Sequence, residues 1–99
     1  MVKRFALYEI NNTDNVTRLG IVISPNELNE VLDTVLVLPV LPVITSAPFR
    51  IGLEFKGASG EIATEKITSI RKDTLGKLLG SLPDALVVRI QEILTEMFK

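Results

Sequence analysis

This sequence has no cysteine, no histidine and no tryptophan, and each absence closes off a line of chemistry. Without cysteine there is no disulfide framework and no thiolate nucleophile, which suits a reducing compartment. Without histidine the usual general base near neutral pH is missing, and histidine-based zinc sites are excluded. Any acid–base work falls to Asp, Glu, Lys, Arg, Tyr or hydroxyl groups. An excess of charge of one sign is lacking too, since 11 Lys and Arg stand against 12 Asp and Glu for a net charge of -1. That excludes a broadly basic nucleic-acid binder and leaves room only for a local basic patch. Long hydrophobic runs are also absent. The most apolar stretch, Thr34 to Ser46, is interrupted by Pro39 and Pro42 and is shorter than the ~20 residues a membrane span needs. Phe5 to Ile10 is too short and too polar for a signal-peptide core. The expectation is a cytoplasmic protein without membrane contact.

What is present is a chain of 99 residues, 46% of them hydrophobic. That is enough for one domain over 1–99 with a modest core, and a dimer that buries more apolar surface fits the small margin. Lys3 to Ile10 reads as a first strand, and Asn11-Asn12-Thr13-Asp14-Asn15 as a polar surface turn. Leu19 to Ile23 is a short β-branched run, predicted to be a buried strand, with Arg18 at its mouth. Ser24-Pro25-Asn26-Glu27 then reads as a helix start, with Ser24 as cap, Pro25 at the first helical position and Glu27 completing a capping box. In the short helix Pro25 to Leu32, the spacing puts Leu28, Val31 and Leu32 on a buried face and Glu27, Asn29 and Glu30 in water.

Thr34 to Val40 reads as a central strand, and Leu41 to Pro48 as a connection, because Pro42 and Pro48 deny ladder donors. Arg50 to Phe55 is the next strand, Lys56 to Gly60 a glycine-bearing hairpin loop, and Glu61 to Thr68 the returning strand. Lys72 to Leu79 reads as a short helix stopped by Gly80. The last helix has the clearest signal. Ser81 stands as its cap and Asp84 in its first turn, while Leu82, Leu86, Ile90, Ile93, Leu94 and Met97 form one stripe. Strands first and an amphipathic helix last predict a small α+β domain, mostly antiparallel.

Several words of this sequence resemble the PemK/MazF family of toxin components from bacterial toxin–antitoxin pairs. They are the opening Met1-Val2-Lys3-Arg4-Phe5, then Thr17-Arg18 through Ile23-Ser24-Pro25-Asn26-Glu27-Leu28-Asn29, then Phe55-Lys56-Gly57-Ala58-Ser59-Gly60-Glu61-Ile62. Leu78-Leu79-Gly80 and Glu96-Met97-Phe98 complete the set. The resemblance runs over essentially the whole chain. It implies an SH3-like β-barrel with a short helix after the second strand and a C-terminal helix, assembled as a homodimer. It implies sequence-specific cleavage of single-stranded RNA with no metal or other cofactor, held off by a cognate antitoxin. The expected chemistry is attack of a ribose 2′-hydroxyl on its own phosphate. A base takes the proton, cationic donors hold the phosphate oxygens and an acid protonates the leaving group.

On this resemblance Arg18 is the phosphate-holding cation, suited to bidentate contact. Thr45 and Ser46 are candidates to donate to a phosphate or orient the 2′-hydroxyl, and Glu65 is a candidate base. Lys66, Arg71 and Lys72, with Arg18, are candidates for a local basic rim that binds RNA. Each has a plainer reading: Arg18 paired to an acid such as Glu65, Thr45 and Ser46 serving a turn, Glu65 a solvated charge. The family's Thr-Ser pair falls on Leu41-Pro42 when both prolines keep register, and on Thr45-Ser46 when the local word is matched. Leu19 stands where the relatives carry a proline, and Ala63 where some carry a catalytic arginine. The segment Asn11 to Val16 is shorter than its counterpart. The substitutions at Leu41, Pro42, Ala63 and Thr68, the last standing where the relatives carry an arginine, motivate a second reading, a catalytically degenerate module that binds an antitoxin or RNA without cutting. A third, poisoning of a topoisomerase as by the related CcdB-type toxins, has no specific residue in its favour.

Overall fold

The computed structural model describes residues 2–11 and 16–99. Most of the polar turn expected over Asn11–Asn15 therefore lies outside the described residues. The strands are β1 Ala6–Ile10, β2 Arg18–Val22, β3 Thr34–Leu41, β4 Arg50–Phe55, β5 Ala58–Ala63, β6 Thr68–Arg71 and β7 Leu75–Ser81. The helices are α1 Asn26–Val31, after β2, and α2 Asp84–Met97 at the C-terminal end. All seven strands join one curled sheet in the order β4-β5-β3-β2-β1-β7, with β6 on β3. Every pairing is antiparallel. This is the expected mostly antiparallel α+β architecture.

Side-chain alternation separates two apolar layers. Leu7, Ile21 and Leu38 lie in register, as do Leu19, Val40, Ile62 and Ile51. These residues face α2, whose Ile90 and Ile93 complete the main core with Leu82. The final stripe therefore behaves as its spacing predicts, with Leu86, Leu94 and Met97 packed at its margin. On the opposite face Ala6, Tyr8, Val22, Val35 and Val37 form a second buried cluster, flanked by Ile10, Ile70 and Leu75. Among the described residues no helix is long and apolar enough to cross a membrane.

Four expectations are corrected. Lys72 to Leu79 is not a helix: after a 3-10 turn over Lys72–Thr74, β7 pairs with β1 through a bulged register. The open edge of β1 needs ladder partners, and that tertiary demand outweighs the helix propensity of lysine and leucine. The returning strand is broken by a 3-10 turn at Thr64–Lys66, which separates β5 from β6. Neither serine caps its helix. Ser24 is buried with its hydroxyl engaged elsewhere, and Ser81 ends β7 opposite Ala6, so each helix starts after a proline with no side-chain cap. Finally, α1 turns its polar residue inward. Asn29 is buried, donates to the Ser24 carbonyl at 2.9 Å and accepts from the Ser24 hydroxyl at 2.5 Å, while Leu36 N–H donates to that hydroxyl. Leu28, Val31 and Leu32 are left exposed. A helix this short is held by its polar ties rather than by an apolar face.

The β4–β5 hairpin is closed by Lys56 and Gly57, both at positive φ (53° and 80°), as a tight two-residue turn requires. Just after the turn, a Cβ on Gly60 would sit 2.2 Å from the Leu41 carbonyl oxygen, whereas one on Gly52 would meet nothing within 4 Å. Gly60→Ala should therefore cost about 1–3 kcal/mol by forcing β5 away from β3, read as a melting temperature lower by at least ~4 °C. Gly52→Ala should move it little. Equal melting temperatures for the two variants would contradict this packing.

Candidate functional site

Alternation along β2 and β3 sends Arg18, Pro39 and Leu41 to the sheet face opposite α2. There they line a cleft of about 400 Å³ with Ile10, Pro42, Ser59, Thr68 and Ile70. The cleft exists because β3 changes partners along one edge. Val40 and Leu41 pair with β5, and Thr34 to Val37 pair with β6. The chain leaves the sheet between them, at the 3-10 turn. Apolar side chains dominate the walls, and the polar groups are the Arg18 guanidinium and the hydroxyls of Thr17, Ser59 and Thr68. Arg18 is the one ionisable side chain among the described lining residues. Arg18 itself is exposed at the mouth of the cleft, so what it offers an anion is its planar fork of donors more than a desolvated charge.

Beside the cleft, a polar cluster is built around Glu61, which pairs with Leu41 on one side and Gly52 on the other. Its side chain is 4% exposed. One carboxylate oxygen accepts from the Thr45 hydroxyl at 2.7 Å and from Arg50 Nη1 at 2.9 Å. The other accepts from the Thr45 and Ser46 backbone N–H groups at 3.1 and 2.9 Å. Arg50 is itself divided between two acids. Its Nε and Nη2 donate to Glu65, the shortest contact being 2.6 Å. Bonds from the Thr45 hydroxyl, the Ser46 amide and Arg50 outweigh burial and lower the Glu61 pKa from 4.5 to about 2. Hydrogen bonding by Arg50 likewise lowers that of Glu65, and the two acids raise that of Arg50 above its ordinary value.

The candidate residues therefore occupy separate places. Arg18 lies in the cleft, and so do Leu41 and Pro42. Thr45 and Ser46 are instead bonded to Glu61, and Glu65 to Arg50. Lys66 is exposed in the 3-10 turn. Arg71 sits opposite Thr34, at the far end of β6 from Thr68, and pairs with Asp73 at 2.8 Å. Lys66 and Arg71 are not among the described residues that line the cleft. Among the described residues no group of three or more acidic side chains converges to hold a metal ion.

Arg50 and Glu61 are not among the residues that the sequence singles out as candidates; each reads there only as the first residue of a strand. A signal was available. A hairpin turning at Lys56–Gly57 pairs Arg50 with Ala63, which makes Glu61 the diagonal neighbour of Arg50 and within reach of its long side chain.

The model of the PemK-like, MazF-like toxin of type II toxin–antitoxin systems matches residues 4–98. No curated protein matches the sequence closely enough to count. Among solved structures, an endoribonuclease from a mycobacterial species, in complex with its cognate antitoxin, superposes with a TM-score of 0.85 at 18% identity, over 97% of this chain and 93% of that one. The MazE–MazF complex of Deinococcus radiodurans gives 0.86 at 21%, over 98% and 94%. MazF alone from the same organism gives 0.83 at 20%, over 98% and 96%. At such identities the likeness is one of fold.

The Glu61 cluster has a measurable consequence. A carboxylate whose folded pKa lies below its unfolded one contributes stability that is fully present above the unfolded value. That stability is lost as pH falls toward the folded value. For Glu61 the window runs from 4.5 down to about 2, and Glu65 acts in the same direction. The melting temperature should fall through this window, and the fall should be shallower in Glu61→Gln. Parallel curves for the two proteins would show that Glu61 is not held as described.

Proposed function

The chain belongs to the PemK-like, MazF-like toxin family of type II toxin–antitoxin systems, and on that footing we propose that it cleaves single-stranded RNA at the Arg18 cleft. The observation that carries this reading is one guanidinium set among apolar walls and three hydroxyls on the open face of the sheet. Arginine offers a planar fork that matches two phosphate oxygens at once. Apolar walls can pack against the face of an unstacked base. A net charge of -1 agrees with binding that leans on one cation rather than on many.

The reaction would be internal to the RNA. The 2′-hydroxyl loses its proton and its oxygen forms a bond to the adjacent phosphorus. The bond from phosphorus to the 5′-oxygen breaks, and that oxygen takes up a proton. The products are a 2′,3′-cyclic phosphate and a 5′-hydroxyl. Arg18 would hold the phosphate oxygens as charge grows on them. Thr17, Ser59 and Thr68 line the cleft with hydroxyls that would orient the substrate. Glu65 remains the candidate proton acceptor by resemblance, and to act it must give up a contact with Arg50. Thr45 and Ser46 would serve through Glu61, and Lys66 and Arg71 would attract the strand from outside the cleft. The partners under this reading are a second copy of the chain and a cognate antitoxin. The exposed apolar side chains Leu28, Val31 and Leu32 supply surface for such partners to cover.

One observation favours a second reading. No carboxylate is among the described residues lining the cleft, and a site without a base holds RNA without cutting it. A single experiment separates the readings. Long single-stranded RNA incubated with the protein in excess chelator should give defined fragments ending in 2′,3′-cyclic phosphate. Arg18→Ala should slow their formation by ~10²–10³, the loss expected when one donor to a developing oxyanion is removed. Binding without fragments would select the second reading. Failure both to bind and to cut would overturn both.

A further inference from the structure

We propose that Glu61 is a positioning residue that fixes the wall of the Arg18 cleft by locking the Pro42–Phe49 segment onto the sheet. The inference rests on the reading of the cleft as an RNA site. That segment starts at the wall itself, since Leu41 and Pro42 line the cleft. It has little packing of its own: Val43, Ile44 and Phe49 are exposed. It also holds two residues in left-handed backbone, Ser46 at φ 55° and Phe49 at φ 65°, a conformation that side-chain-bearing residues disfavour. A loop with poor burial and unfavourable backbone needs an outside anchor.

The anchor is the carboxylate. Three donors from the middle of the segment converge on Glu61, namely the Thr45 hydroxyl and the backbone N–H groups of Thr45 and Ser46. The Thr45 oxygen in turn accepts from Ala47 N–H. The far end is tied separately, by the Thr64 hydroxyl donating to the Phe49 carbonyl and by Arg50 N–H donating to Ala47. Glu61 is also placed to transmit its hold, because it lies in register opposite Leu41. Arg50 and Glu65 form the outer support. With its guanidinium bonded to both acids, Arg50 keeps the buried carboxylate charged and aimed at the loop. Loss of the carboxylate would release the loop and, with it, the side of the cleft that Leu41 and Pro42 build.

The test compares wild-type protein with Glu61→Ala, Thr45→Val and a distant control, Glu92→Ala. Exchange of the Thr45 and Ser46 amides and the methyl resonances of Leu41 are followed by NMR without RNA. Affinity for a 2′-O-methyl single-stranded RNA is measured alongside. In Glu61→Ala the two amides should exchange ~10-fold faster or more without global unfolding, the Leu41 methyls should shift, and RNA should bind ~10-fold more weakly. Thr45→Val, which removes one donor only, should show the same changes in smaller degree if Glu61→Ala fails to fold. Glu92→Ala should match wild type. Unchanged amides and Leu41 methyls in both site variants would overturn the inference, whether or not the wild-type protein holds RNA. Faster amides with unaltered RNA affinity would overturn it as well. Wild-type protein that fails to bind RNA, but whose variants move Leu41, would instead overturn the functional reading and leave the lock standing.

Discussion

The strand β3 has to satisfy two partners along one edge, and much of the molecule follows from where it changes between them. On its other side β2 runs against Val37 to Val40 without interruption. On the divided side, β6 serves Thr34 to Val37 and β5 serves Val40 and Leu41. Pro39 falls in the gap, where a residue with no N–H costs the ladder least. The chain crosses this gap by the 3-10 turn at Thr64–Lys66. Because Pro39 and Leu41 share a face with Arg18, the irregularity that lets β3 hold two strands also shapes one side of the cleft.

Two arginines lie near this gap. All three guanidinium nitrogens of Arg50 donate to Glu61 or Glu65, so an incoming phosphate would have to displace a carboxylate. Arg18 is exposed at a cleft whose other described lining residues are apolar or carry hydroxyls. In a protein whose charges almost cancel, such placement decides where an anion can be held more than their number does. The acidic cluster then serves architecture: it fixes a loop of exposed apolar residues whose backbone would not choose this shape alone.

Local pattern reached some of these features and not others. The last helix was legible because its stripe repeats at the helical period over fourteen residues. The β4–β5 hairpin was legible from its glycines, but its turn takes only Lys56 and Gly57 and not the whole of Lys56 to Gly60, because Ala58 to Gly60 already pair with β4. The segment after Arg71 was not. Lysine and leucine there suit a helix, and only the unpaired edge of β1, distant in sequence, makes it a strand. The orientation of α1 was hidden because the partners of Asn29, Ser24 among them, are polar ties that periodicity does not register. Arg18 was singled out through a family word, and the structure places it in the cleft. The grouping of Glu61, Arg50 and Thr45 depends on hairpin register and loop conformation together, which no short motif encodes. Leu41 and Pro42, open in the sequence as alternatives to Thr45 and Ser46, are the pair that lines the cleft.

A crystal structure of the protein with a non-cleavable single-stranded RNA tests the central claim most directly. A phosphate should lie within hydrogen-bonding distance of the Arg18 guanidinium, with an adjoining base against Pro39 and Leu41. RNA phosphates gathered at Lys66, Arg71 or Lys72, with the cleft holding no nucleotide, would contradict it.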